Sequence, residues 1–99
     1  MSHSTFESLA DDLLAALEEG IGAGSDADAE LQGGILTVDG KAGTWVVNKH
    51  APTSQIWLSS PISGARHYAL DAASGLWTDT RGGPDLLTLL SQELGVALS

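Results

Sequence analysis

Asp26-Ala27-Asp28-Ala29-Glu30-Leu31-Gln32-Gly33-Gly34-Ile35-Leu36-Thr37-Val38 is the stretch on which the fold turns. From Asp26 to Gln32 the residues alternate strictly, with Asp26, Asp28 and Glu30 on one face and Ala27, Ala29 and Leu31 on the other. A strand with one buried side has that period of two. Gly33-Gly34 is a two-residue hairpin signal, and Ile35 to Val38 is the returning strand. Asp39-Gly40 marks the next turn, and strands are expected again at Gly43 to Lys49, Gln55 to Ser60, Arg66 to Leu70 and Leu76 to Asp79. The connections between them are too short for parallel crossovers, so the sheet is expected to be an antiparallel meander.

Helices flank this run on both sides. Ser4 and Glu7 have capping-box spacing, and Phe6, Leu9, Ala10, Leu13, Leu17 and Ile21 recur at three- and four-residue intervals. Gly20, Gly22 and Gly24 are expected to end that helix. At the other end Asp85, after Pro84, is the expected N-cap of a helix with Leu86, Leu87, Leu90, Leu94, Ala97 and Leu98 along one stripe. Gly95 inside it would cost about 1 kcal/mol relative to Ala. Helix, five or six strands, helix makes an α+β fold, a two-layer sandwich with both helices on one face of an antiparallel sheet. At 99 residues the chain is read as a single domain, 1–99.

Charge is distributed very unevenly. Through Gly40 there are nine carboxylates (Glu7, Asp11, Asp12, Glu18, Glu19, Asp26, Asp28, Glu30 and Asp39) and no Lys or Arg. Like charges crowded together repel and cost stability unless something binds them, and the ligands suited to them are hard cations or a basic protein face. A formal net charge of -9 excludes nucleic acid, whose phosphates need a basic footprint. The chain has no cysteine, so disulfides, thiol nucleophiles and thiolate metal sites are out, and any metal must be held by oxygen or imidazole. No apolar run is long enough to span a membrane, and the N-terminus reads as neither a signal peptide nor a transit peptide.

The sheet face away from the helices is informative too. With Val47, Ile56 and Leu58 turned inward, Asn48, Gln55, Trp57 and Ser59 face water. A Trp on a rigid sheet is a typical interface anchor, and the bland alternative is that a loop covers it. Trp45 shares the inward face with Val47.

Beyond the stretch already quoted, Gly43-Thr44-Trp45-Val46-Val47-Asn48-Lys49 and Pro52-x-x-Gln55-Ile56-Trp57-Leu58-Ser59-Ser60-Pro61-x-Ser63-Gly64 closely resemble the frataxin family, including its bacterial CyaY-like members. The resemblance covers nearly the whole chain. It implies a role in iron–sulfur cluster assembly as an iron-binding regulator or iron chaperone. It also implies weak, reversible binding of ferrous or ferric iron at an acidic ridge, here Glu7, Asp11, Asp12, Glu18, Glu19, Asp26, Asp28 and Glu30. Docking on a cysteine desulfurase and its iron–sulfur scaffold protein is implied as well, with Asn48, Gln55 and Trp57 on the scaffold-facing sheet. His67 stands where eukaryotic members carry arginine, which favours a bacterial, cytoplasmic protein; a processed eukaryotic member would sit in the mitochondrial matrix. A monomer is expected, with iron-dependent oligomers as an open state.

Chemistry agrees with weak metal binding. Carboxylates strung along a helix and a strand form no closed cage, so binding should be salt-sensitive and poorly selective. His3 is read as lying before the first helix, His50 as a loop residue, and Arg66 as pointing opposite to His67. No Ser-His-Asp or Cys-His arrangement, phosphate loop or paired-histidine motif is present, so no catalytic residue is assigned. The alternatives are a ferroxidase or iron store, and an interaction module whose metal binding is incidental. The short tail after Leu98 predicts a domain of marginal stability.

Overall fold

A two-residue turn fixes hairpin register without ambiguity, and here Gly33 and Gly34, both at positive φ, make that turn. Gln32 then faces Ile35, Leu31 faces Leu36 and Asp28 faces Asp39, as β1 (Asp28–Gln32) pairs with β2 (Ile35–Gly40). In this computed structural model, which describes residues 3–98, with side chains from Thr5 onward, every neighbouring strand continues the pattern. β3 (Gly43–His50), β4 (Gln55–Ser60), β5 (Gly64–Asp71) and β6 (Leu76–Asp79) follow in chain order, all antiparallel, as one six-stranded meander. A short 3-10 turn, Ala51–Thr53, links β3 to β4.

α1 (His3–Gly24) and α2 (Leu86–Leu94) pack on one face of this sheet. α1 buries Phe6, Ala10, Leu14, Leu17 and Ile21, and α2 buries Leu86, Leu89 and Leu90. The sheet's inner face supplies Leu36, Val38, Trp45, Val47, Ile56, Leu58, Tyr68 and Trp77. Phe6 meets Trp77 edge-on, with ring centroids 6.0 Å apart, which ties the start of α1 to the last strand. The later turns of α1 lie against β1, β2 and β3.

Several local expectations need correction. The first helix does not stop at its glycines but runs through Gly20 and Gly22 to Gly24. There Ser25 closes it, its hydroxyl and its N–H both donating to the Ile21 carbonyl. His3 belongs to the helix rather than preceding it, while the Ser4 half of the expected capping box lies outside the described side chains. Leu9 is exposed and Leu14 takes the core position, because the buried stripe follows Phe6, Ala10, Leu14, Leu17 and Ile21. Asp26 and Ala27 precede β1 rather than opening it, although their exposure keeps the alternation.

α2 is shorter than its leucine pattern suggests. Asp85 is the N-cap as expected, accepting from the Thr88 N–H. Gly95, however, is not inside the helix: it sits in the left-handed region at φ 67° and ends it, its N–H donating to the Ser91 carbonyl. Ala97 is exposed, and Val96 and Leu98 fold back beside α1. The close approach needs the two glycines, since a Cβ on Gly24 would lie 2.6 Å from Val96 Cγ2 and one on Gly20 3.0 Å from Leu98 Cδ2.

Candidate functional site

Two surfaces carry the residues singled out in the sequence: the outer side of α1 with the β1 edge, and the solvent face of the sheet. On α1, Glu7, Asp11, Asp12 and Glu19 are exposed, as are Asp26, Asp28 and Glu30 beyond it. They are not all free of protein partners. Asp11 Oδ1 accepts from Lys49 Nζ at 2.9 Å, so a base from the end of β3 reaches the acidic helix after all. The lysine is distant in sequence, and the hairpin register brings it there. Exposed pairs of this kind contribute little to stability, about 0–1 kcal/mol.

Glu18 has a structural task. Its Oε2 accepts the backbone N–H of Leu31 at 2.7 Å. β1 is an edge strand, and this carboxylate satisfies a donor on its unpaired side while fastening strand to helix. Asp28 and Glu30 project instead to the solvent face of the sheet. Asp28 stands directly opposite Asp39, a like-charged cross-strand pair, and Asp39 Oδ1 accepts from Thr44 Oγ1 at 2.7 Å. The pairing of Asp39 with Asp28 was derivable from the two-residue hairpin and makes Asp39 a further acid of the same edge. Among the described residues, no three His, Asp or Glu side chains converge closely enough to hold a metal ion. The chemistry available is that of separate carboxylate oxygens, suited to hard cations bound loosely.

On the solvent face of the sheet, Asn48, Trp57 and His67 stand in one cross-strand row, and His50, Gln55 and Ala69 in the next. Trp57 is neither bare nor covered by a loop. It is half-buried between two histidine rings, His50 at 3.7 Å and His67 at 4.4 Å between centroids, both nearly parallel to the indole. Its Nε1–H donates to Gln55 Oε1 at 2.8 Å. His50 is thus the last residue of a strand rather than a loop residue. Arg66 does point away from His67: it reaches across to Asp79 Oδ2 at 2.9 Å on the inner face.

One carboxylate that carries much of the interior was missed in the sequence. Glu93 Oε1 accepts from Trp45 Nε1 at 2.9 Å and from Ser60 Oγ at 2.6 Å, linking α2 to β3 and β4. Desolvation pushes its pKa up, but these hydrogen bonds outweigh it and hold the carboxyl below its ordinary range. Nothing short of the register of Trp45 against the last helix would have revealed it. Near it a groove of roughly 790 Å³ opens between the C-terminal ends of the two helices and the β2–β3 turn, lined in part by Asp26, Asp39, Lys41 and Glu93. Tyr68 is fully buried, and burial raises its phenol pKa far above the ordinary value.

An antiparallel six-stranded sheet backed by two helices, acidic along one helix and edge strand and uncharged around a stacked Trp on the sheet, defines a small α+β domain with two distinct polar surfaces. The whole chain, residues 1–99, matches the frataxin-like domain family. It is 39% identical over 100 residues to the mitochondrial frataxin homolog of Saccharomyces cerevisiae, covering 98% of this chain and 56% of that protein. To the homolog of Schizosaccharomyces pombe it is 45% identical over 69 residues, covering 69% of this chain and 44% of that one. Among solved structures, the frataxin of Psychromonas ingrahamii superposes with a TM-score of 0.83 at 33% identity, covering 94% of this chain and 88% of that one. Trimeric yeast frataxin complexed with ferrous iron superposes at 0.72 with 38% identity, covering 96% and 86%. This chain belongs to the frataxin family. It spans about half the length of the curated relatives it matches.

Proposed function

We propose that this protein is an iron-binding regulator and iron chaperone of iron–sulfur cluster assembly, docking on a cysteine desulfurase and its scaffold protein. Family membership supports a role in iron handling and cluster assembly in general. The observation that carries the finer reading is the division of the surface. Acids lie along α1 and β1, and an uncharged aromatic platform of Asn48, Gln55 and Trp57 lies on the sheet. A basic desulfurase surface complements the first, by charge. The platform offers a rigid, half-buried indole with amides beside it, the composition of an interface centre.

Iron in this account is cargo. Glu7, Asp12, Glu19, Asp26, Asp28 and Glu30 offer exposed oxygen ligands, and a yeast relative has been crystallised with ferrous iron. Asp11 and Glu18 are proposed as ligands only at the cost of their contacts to Lys49 and Leu31. That engagement favours a second reading, in which the acids serve protein docking and iron binding is incidental. A cytoplasmic, CyaY-like bacterial protein is proposed on His67, although the relatives named above from yeasts are mitochondrial. No described helix is long and apolar enough to cross a membrane.

Charge reversal tests the division of labour. The variant E7K/D12K/E19K changes exposed positions only and is expected to lose desulfurase binding by tenfold or more, as removal of several steering charges does. Trp57→Ala should leave desulfurase binding by the helix intact but weaken scaffold docking. Unchanged affinity in both variants would remove the docking proposal.

A further inference from the structure

Three strands bring three rings together on the solvent face. β4 presents Trp57, the register sets His67 of β5 directly opposite, and His50 at the end of β3 closes from the other side. The planes lie within 10° and 11° of parallel, so both π-faces of the indole are covered by imidazole. His50 Nδ1 lies 2.8 Å from Thr53 Oγ1 of the 3-10 turn, whose oxygen can accept a hydrogen bond from the ring N–H.

By register the platform is ringed by Asn48, Gln55, Ser59, Ala65, Ala69 and Thr78. Of the charged groups on the elements around it, Lys49 of β3 pairs with Asp11 of α1, and Arg66 of β5 pairs with Asp79 of β6 on the inner face. Asp71, at the far end of β5, accepts from Ala73 and Ser74. Arg81 is exposed, one residue past Thr80, whose N–H bonds the His67 carbonyl.

We propose that the His50–Trp57–His67 stack is a proton-operated switch on the docking face. With both rings neutral, the platform is an uncharged indole with amides. Protonation, which histidines undergo between about pH 5 and 8, places a cation on each face of the indole and tightens the stack. The platform then carries up to two positive charges in a protein whose net charge is -9. A partner surface that accepts the neutral form meets a different one in mild acid. Two imidazolium charges roughly 8 Å apart also repel each other, so protonation of one ring bears on the other through the indole between them.

The switch rests on the proposal that this face docks a partner, but the ring chemistry can be read without one. NMR of the full chain between pH 5 and 8 follows the two imidazole signals and the Trp57 indole N–H. The expected result is an indole signal that moves with both histidines, and a His50 response to pH that changes in the His67→Gln variant. An indole signal that stays in place while both histidines titrate, each indifferent to the other's removal, overturns the switch. Binding to the desulfurase–scaffold complex at pH 6 and pH 8 then reads its use. Wild type should change affinity several-fold between the two, and H50Q/H67Q should not. The same pH dependence in the double variant overturns the regulatory role. Binding untouched by Trp57→Ala instead overturns docking on this face.

Discussion

Glu93 is where a single residue matters most. Trp45 is buried, and its indole N–H has its partner in that carboxylate, so truncation to Ala leaves a buried donor unpaired. Glu93→Ala is expected to lower stability by about 2–4 kcal/mol in urea unfolding, a large share of what a small domain has. Because the folded pKa lies below the ordinary 4.5, the contribution is complete above that pH and is lost as pH falls through the folded value. The gap between wild type and Glu93→Gln should therefore shrink in urea melts taken progressively below pH 4.5. Glycines of α1 give a second contrast at this scale. Gly22 has open space around it, and Gly22→Ala should stabilise by about 0.5–1 kcal/mol through helix propensity alone. Gly24→Ala should destabilise instead, since its Cβ would meet the stiff, branched Val96 at 2.6 Å.

Among the elements, the β1 edge is the informative one. It is held by β2 on one side and by the Glu18 carboxylate on the other, while Asp28 and Asp39 face each other across the hairpin. Directly opposed like charges cost about 0.2–1 kcal/mol, so Asp28→Asn should raise the thermal midpoint at low salt and lose that advantage at high salt. The hairpin's register and faces were legible in the sequence, because Gly33-Gly34 fixes the register and strict alternation fixes the face, but its ends were not, since β1 opens at Asp28 and β2 runs on through Asp39 and Gly40. Nor were the helix ends. Gly20, Gly22 and Gly24 read as a terminator, whereas the lack of side chains at Gly20 and Gly24 admits Leu98 and Val96, a tertiary reason that no local pattern carries. Gly95 read as a weak point inside α2 for the converse reason, since a capping role depends on the backbone entering the left-handed region. The exposed acids were identified by type and spacing, but the engagement of Asp11 by Lys49 and of Glu18 by Leu31 comes from strand register against a helix. His50 and His67 likewise had no shared motif; only pairing of β3, β4 and β5 stacks them on Trp57.

At the scale of the molecule, the governing quantity is the charge of -9 with its acids gathered on α1 and β1. Repulsion among them predicts that the melting temperature rises with monovalent salt, and rises further with divalent cations at matched ionic strength, through binding to the folded form. A melt indifferent to both would mean the acids are too far apart to interact. The central claim, that these carboxylates receive iron as well as partners, is tested most directly by an anaerobic NMR amide titration with Fe(II), followed by one with purified cysteine desulfurase. Both are expected to broaden or shift residues 7–30, with Leu31 also responding if iron draws Glu18 from its amide. Perturbation of that region by the desulfurase alone, with iron leaving it unchanged, would contradict it and reduce the acids to a docking face.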